Sequence, residues 1–145
     1  MTYVPDINTS AARVHRMAAF SVPIESLTVV TNGLVLWVKD QGDSDITVSA
    51  GTITLPQGYI WTIFTQIGLT QAANRSFILW NGSAEYTNAR RIELATTNSG
   101  NSGNQMVVNV LDTSSQARTI AWRNTGASYA LTSNINGLIV VGVLA

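Results

Sequence analysis

The apolar residues of this chain lie in short runs rich in β-branched and aromatic side chains, and clusters of Gly, Asn, Ser and Asp separate the runs. Such punctuation is typical of strands joined by turns. Helical periodicity over several turns is hard to find, and we interpret its best stretch, residues 10–20, as a strand or an irregular segment. The pattern therefore predicts an all-β fold.

Three Asn-Gly pairs mark candidate turns between the runs. Both residue types tolerate the positive φ that a type I′ turn requires at its two central positions. The pairs at 32–33 and 81–82 have strand-like runs on both sides and predict hairpins. The pair at 136–137 predicts a hairpin less strongly, because the segment before it is a poor strand.

The runs and turns together predict eight to ten strands in one domain of 145 residues. Strands beside those of the hairpins are expected at residues 46–48, 51–55, 59–69, 90–95, 106–111 and 118–123. Because no crossover helices separate them, the strands should be antiparallel and packed face to face in two sheets. We expect residues 13–145 to form this sandwich and the polar residues 1–12 to form an extended N-terminal arm.

Several of the predicted strands are apolar on both faces. A strand of an isolated sandwich turns one face to water, so its sequence should alternate between apolar and polar residues. The runs that do not alternate are residues 34–38, 77–80, 106–111 and 138–144. The long run at residues 59–69 likewise carries Ile60 and Phe64 on its second face. We expect another copy of the chain to cover this surface; the alternative is that long loops bury both faces within one chain.

The charge composition limits the kinds of partner that the sequence predicts. Charged residues make up 11% of the sequence, against roughly 25% in a typical soluble domain, and eight basic residues balance eight acidic ones. A nucleic-acid-binding protein usually carries a basic excess, so no nucleic-acid partner is expected. Every basic residue except Lys39 is Arg, the cation that interfaces favour over Lys.

Other classes of protein lack support in the sequence. There is no Cys, which excludes disulfides and thiolate metal sites. The first residues show no signal-peptide pattern, and the longest apolar run, residues 138–145, is far shorter than a membrane span. No membrane partner is therefore expected.

Catalysis is poorly supported too. His15 is the one histidine, and we interpret it as an arm or interface residue rather than a general base; in an oligomer its copies could also meet. Residues 40–45 predict a solvated turn rather than a Ca²⁺ loop. Glu85 and Glu93 are imaginable as a glycosidase pair, but nothing places them in one cleft. We expect no enzyme, no metal and no cofactor.

Arginines beside aromatic residues indicate an interaction surface. Arg118 and Trp122 would share one face of a strand, and Arg with Trp on a surface of low charge is typical of interface hot spots. The alternative is a solvated strand edge. Exposed aromatic rings beside Asn and Asp could also stack on a sugar, which would indicate a glycan-binding protein.

Three features resemble the trimeric jelly roll of the tumour-necrosis-factor and complement globular-head type. Residues 55–61, Leu-Pro-Gln-Gly-Tyr-Ile-Trp, are similar to the turn that opens a central strand in those domains. Residues 137–145 form a wholly apolar C-terminal strand after a Gly. Between them runs an alternation of aromatic and β-branched residues with little charge. The likeness covers residues 13–145 and implies an antiparallel jelly-roll sandwich.

In that family three sandwiches pack around a three-fold axis through apolar and aromatic faces. The resemblance places Tyr59, Trp61 or their neighbours on the opposite face of the strand near such an axis. Animal members usually carry a signal-anchor or a collagen-like stalk, and this sequence shows neither. Compact trimers of this style also serve as capsid decoration (cement) proteins and fibre tips of tailed bacteriophages.

The resemblance thus implies a structural virion protein. The expected form is a homotrimeric capsid decoration protein, made in the host cytoplasm and bound to the major capsid protein on the capsid exterior. The alternatives are a fibre-tip domain that binds a host surface glycan, a polysaccharide-cleaving enzyme and a secreted signalling head. The candidate interface residues are Tyr59, Trp61, Phe64, Trp37, Trp80, Arg118 and Trp122.

Overall fold

A computed structural model describes residues 15–69, 75–94, 103–132 and 135–145, so the expected arm at residues 1–12 lies outside the described residues. The strands are β1 His15–Ser21, β2 Thr28–Val29, β3 Val38–Gly42, β4 Thr47–Ser49, β5 Thr52–Leu55, β6 Tyr59–Leu69, β7 Arg75–Trp80, β8 Ile92–Leu94, β9 Gly103–Asp112, β10 Arg118–Asn124, β11 Tyr129–Ala130 and β12 Gly137–Leu144. One short 3-10 turn, Ile24–Ser26, follows β1. Within these residues, no helix has the length and apolar character to cross a membrane.

The strands form two antiparallel five-stranded sheets, which confirms the predicted sandwich. Sheet I has the order β3-β1-β12-β6-β9, and sheet II has the order β4-β5-β10-β7-β8. Strands β2 and β11 pair separately as a small ribbon. The chain passes from β5 in sheet II to β6 in sheet I and back to β7 in sheet II, and it crosses again at β9, β10 and β12. This alternation between the sheets is the jelly-roll arrangement.

The core lies between the two sheets, and β6 shows how the sequence builds it. Trp61, Ile63 and Ile67 are fully buried on one side of this strand, whereas Phe64 on the other side is exposed. Sheet II supplies the facing side chains, which include Ile53, Leu55, Phe77, Leu79, Ile120 and Trp122. The period of two along the strand therefore divides its residues between the core and the outer surface of sheet I.

The predicted hairpin at residues 32–33 is wrong, although the turn exists. Asn32 has a positive φ of 59°, and the Gly33 N–H donates to the Val30 carbonyl. The segment that follows does not return along β2. Instead the Val35 N–H donates to the Trp122 carbonyl of β10, and Val35 is buried there. A partner distant in sequence thus replaces the local one, because it buries the apolar side chain.

The hairpin at residues 81–82 is confirmed, but its turn is wider than predicted. The Asn81 N–H donates to the Ala84 carbonyl, and the chain returns along the end of β7 through a bridge between Trp80 and Glu85. The Asn81 side-chain oxygen accepts from the backbone N–H of Ser83 and of Ala84. The side chain therefore closes a four-residue turn in which only glycine takes the positive φ.

The pair at residues 136–137 does not make a hairpin. Strand β12 begins at Gly137, but β11, the strand before it, pairs with β2. The buried Asn136 accepts from the Gly68 N–H through Oδ1. Its side chain thus anchors the start of β12 to the end of β6, which a solvated turn residue would not do.

A candidate self-association surface

The outer side of sheet I is apolar and exposed in the single chain. Two rows of side chains cross four of its five strands, β1, β12, β6 and β9. One row is Ala19, Ile139, Phe64 and Val108; the next is Met17, Val141, Thr62 and Val110. We call these two rows the apolar face. Among the described residues no loop covers the apolar face: Val110 is 69% exposed and Phe64 is 37% exposed.

The apolar face is bordered at both ends by rows of mixed polarity. One border row consists of His15, Val143, Ile60 and Asp112. The other consists of Ser21, Gly137, Gln66 and Met106. A shallow depression of about 250 Å³ lies between Phe64, Met106 and Ile139. An apolar centre whose borders include polar residues is the usual anatomy of a protein–protein interface.

The alternating strand β6 and the runs at residues 106–111 and 138–144 supply most of this face, as their two-sided apolarity predicts. The alternative, that the chain itself buries both faces, holds for residues 77–80, because Ile78 on the second face is buried and Trp80 is half-buried there. It does not hold for the apolar face of sheet I. An apolar patch of this kind on a soluble chain usually marks an interaction site.

Four of the candidate interface residues lie in the core of the chain itself. Tyr59 and Trp37 are 3% exposed, and Trp61 and Trp122 are fully buried. Two of these three buried indoles have a polar partner, because Trp61 Nε1 donates to Thr113 Oγ1 and Trp122 Nε1 donates to Thr65 Oγ1, both at 2.9 Å. The buried Nε1 of Trp37 finds no hydrogen-bond partner among the described residues. These four side chains therefore offer a partner almost no surface. The neighbours of Tyr59 and Trp61 on the opposite side of β6, Ile60 and Thr62, are half-buried.

The other three candidates lie in three different places. Phe64 is at the centre of the apolar face. Trp80 is half-buried on sheet II, where the Arg123 guanidinium lies over its ring at 4.3 Å. Arg118 is half-buried at the start of β10 and donates through Nε to the Asp112 carbonyl at 3.1 Å. The structure does not bring Arg118 and Trp80 to the apolar face.

The prediction from aromatic residues alone missed most of the apolar face. Met17, Val110, Ile139 and Val141 are aliphatic or sulfur-containing and carry no local signal that separates them from core residues. Their outward direction follows from the register of β6 and β12, in which Ile139 lies opposite Phe64 and Val141 opposite Thr62. The period of two within each strand groups Ile139 with Val141 and Val108 with Val110, but only the pairing with β6 assigns these groups to the outer side.

Several of the carboxylates considered for chemistry have structural partners. Both oxygens of Glu85 accept from Arg91, at 2.6 and 2.7 Å, and this hydrogen-bonded ion pair holds the pKa of Glu85 below its usual value. Asp43 Oδ2 accepts from the Met17 N–H, and Asp45 pairs with Arg16 at 3.4 Å. No cluster of His, Asp and Glu in the described part of the chain is arranged to hold a metal ion.

The open side of the sandwich between β8 and β9 is closed by amide side chains. Asn109 of β9 accepts from the Arg90 N–H at 2.6 Å and donates to the Arg90 carbonyl at 3.2 Å. Gln105 of β9 accepts from the Glu93 N–H at 2.7 Å. A groove of about 310 Å³ runs along this edge between Tyr86, Arg90 and Val110. Burial raises the pKa of Tyr86, whose hydroxyl donates to the Thr119 carbonyl.

The fold is similar to that of several solved proteins. Eiger TNF from S. frugiperda superposes with a TM-score of 0.62 at 17% identity, over 92% of this chain and 94% of that chain. Murine APRIL gives a TM-score of 0.60 at 12% identity, over 90% and 99% of the two chains. The PRD1 vertex protein P5 gives 0.55 at 12% identity, over 92% and 100%. No sequence family and no curated protein matches the chain. These likenesses show the TNF-like jelly-roll fold expected from the sequence.

Proposed function

We propose that the chain is a homotrimeric structural protein of a phage particle, and that it decorates or cements the capsid without catalysing a reaction. The observation that carries this proposal is the apolar face of sheet I. Its two central rows hold Met17, Val110 and Ile139, all exposed in the single chain. Covering such a face contributes roughly 25 cal/mol per Å² of apolar area, less the cost of association.

Sister chains are the cover that this sequence favours. The chain has 11% charged residues and a formal net charge of zero, so copies do not repel one another and few charges lose their water on contact. The family that the sequence resembles packs three sandwiches around a three-fold axis. The likeness to a phage vertex protein, PRD1 P5, over 92% of this chain supports a place on a virion.

In such a trimer sheet II stays outside and is available for the capsid. The stacked pair of Trp80 and Arg123 lies on this sheet, and Arg123 Nε also donates to the Asn32 carbonyl at 3.2 Å. Trp and Arg are the side chains most enriched at binding hot spots. A trimer that binds the assembled capsid, and not the free coat subunit, stabilises the shell by mass action.

The rival function, a fibre tip that binds a host glycan, finds less support in the aromatic residues. Sugar rings stack on exposed aromatic faces, and Trp37, Trp61 and Trp122 are buried. Trp80 already has Arg123 over its ring. The chain therefore shows no open tryptophan platform among its described residues.

Two measurements test the proposal. Sedimentation equilibrium should show a trimer at micromolar concentration, and a chain that stays monomeric there overturns the trimer. The purified protein should then co-sediment with capsids of the phage that encodes it, stripped of decoration, and should raise the temperature at which those capsids break. Binding to a glycan array without any binding to capsids would instead establish the fibre-tip function.

A further inference from the structure

Three identical chains around a closed axis must meet through two different surfaces, because only a two-fold interface uses the same patch on both chains. Each chain therefore contacts one neighbour through one edge and the other neighbour through a different edge. Sheet I ends on one side at β3 and on the other at β9. These two edges are the candidates for contact, and their charges differ.

The β9 edge carries a cation without an ion-pair partner. Arg90 is exposed, and among the described residues it forms no ion pair, whereas the adjacent Arg91 is neutralised by Glu85. The Asn109 side chain binds the Arg90 backbone N–H and carbonyl, which attaches this residue to β9. Arg90 also lines the groove of about 310 Å³, together with Val108 and Val110 of the apolar face.

The β3 edge carries an anion that likewise lacks an ion-pair partner among the described residues. Asp40 is exposed and accepts from the Ser21 hydroxyl at 2.9 Å, and within the described part of the chain it has no cationic partner. The nearby Lys39 donates to the Asp43 and Ile46 carbonyls instead. Val38, on the same side of β3, is 46% exposed and extends the apolar face to this edge.

The two charges lie at similar heights along the strands. The register carries Ser21 of β1 to Met106 of β9, and Ala19 to Val108. Asp40 is bonded to Ser21 and precedes the residue paired with Ala19, so it lies at the height of β9 residues 106–108. Arg90, bonded to Asn109, is about two residues further along, a rise of roughly 7 Å, which an Arg side chain spans. Rotation about an axis along the strands preserves these heights.

We infer that the trimer closes head to tail, with the β9 edge of one chain on the β3 edge of the next, and that Arg90 pairs with Asp40 of the neighbouring copy at each of the three contacts. Val38 of the neighbour then enters the groove beside Val108 and Val110. This inference rests on the proposed trimer and adds to it the direction of assembly and the residues that specify it.

Charge reversal tests the pairing in the full-length protein. Arg90→Glu and Asp40→Lys each place like charges at every contact, and each should weaken trimer formation about tenfold or more, as measured by sedimentation. The double variant R90E/D40K restores opposite charges and should return the affinity close to that of wild type. The matched control is R90E/E25K, which has the same net charge but changes Glu25 on the 3-10 turn outside sheet I, and it should remain weak.

Folding and assembly are separated by a second measurement. Circular dichroism and thermal unfolding of each variant identify any loss of the folded chain. A further variant, Asp40→Asn, keeps the acceptor for the Ser21 hydroxyl and removes only the charge. Raising the salt concentration should weaken the wild-type trimer and the R90E/D40K trimer alike. A wild-type protein that sediments as a monomer would overturn the proposed function itself. A wild-type trimer with unaffected single variants, or a double variant no better than R90E/E25K, would leave the trimer standing and overturn the head-to-tail pairing.

Discussion

Two buried tryptophans show how this core accommodates polar atoms. Trp61 and Trp122 bury large rings between the sheets, and each indole N–H needs an acceptor that water cannot supply there. A threonine hydroxyl serves each of them, Thr113 for Trp61 and Thr65 for Trp122. Threonine suits position 65, which lies within β6, because its β-branched side chain also favours the strand, whereas Thr113 lies just after the end of β9.

Replacing Thr65 by Val should destabilise the chain by about 1–3 kcal/mol, because the Trp122 N–H would be left buried without an acceptor. The free energy of unfolding from urea denaturation measures the loss. Thr62→Val on the same strand is the control, since Thr62 lies on the apolar face and serves neither buried indole. Equal losses in the two variants would contradict the role of the Thr65 hydroxyl.

Gly142 of β12 lies against the ring of Trp61. A Cβ added there would be 2.8 Å from two ring carbons, closer than real contacts allow. We expect Gly142→Ala to cost about 1–3 kcal/mol of unfolding free energy through overpacking. Gly137→Ala, on the same strand with no atom within 4 Å of the added carbon, should cost much less in the same denaturation experiment. A tolerated alanine at 142 would show that the ring can move aside.

At the scale of elements, the two sheets are joined at the β8/β9 side by side chains rather than by strand pairing. Asn109 and Gln105 take the place of backbone partners for Arg90 and Glu93. Both amides point towards the interior side of β9, where an apolar residue would be the usual choice. The connection that carries Arg90 therefore depends on one buried amide.

Asn109→Ala should remove this attachment and lower the unfolding free energy by about 1–3 kcal/mol. Amide hydrogen exchange should accelerate at residues 85–91, because their opening would no longer break the bonds to β9. Asn104→Ala changes an exposed amide of the same strand and should leave the exchange rates alone. Unchanged exchange in the Asn109 variant would show that other contacts hold the connection.

At the scale of the whole molecule, the exposed apolar face separates folding from assembly. Packing on the core side of sheet I stabilises the fold, whereas the outer side remains exposed in the single chain. A charge on the outer side should therefore damage the oligomer and spare the fold.

Phe64→Glu places a carboxylate at the centre of the apolar face, and we expect it to convert the proposed trimer into folded monomers. Sedimentation measures the mass, and at a concentration where both proteins are monomeric the unfolding free energy should change by no more than about 0.5 kcal/mol. Ile24→Glu, which changes an exposed apolar residue outside sheet I, should leave the mass unaltered. A Phe64→Glu protein that still sediments as a trimer would place the interface elsewhere.

By itself the sequence determined the fold class, the long strand β6 with its bounds at Tyr59 and Leu69, and the presence of a second apolar face. All three follow from which residues of each strand are apolar, and this pattern can be observed within a few consecutive residues. Only the tertiary structure decided which face became core. The largest rings, those of Trp61 and Trp122, went inside, and Phe64 and the aliphatic residues beside it stayed outside. It also decided the partner of each strand, as when residues 33–35 joined β10 rather than β2. Both choices depend on contacts between residues far apart in the chain, and no local pattern encodes those contacts.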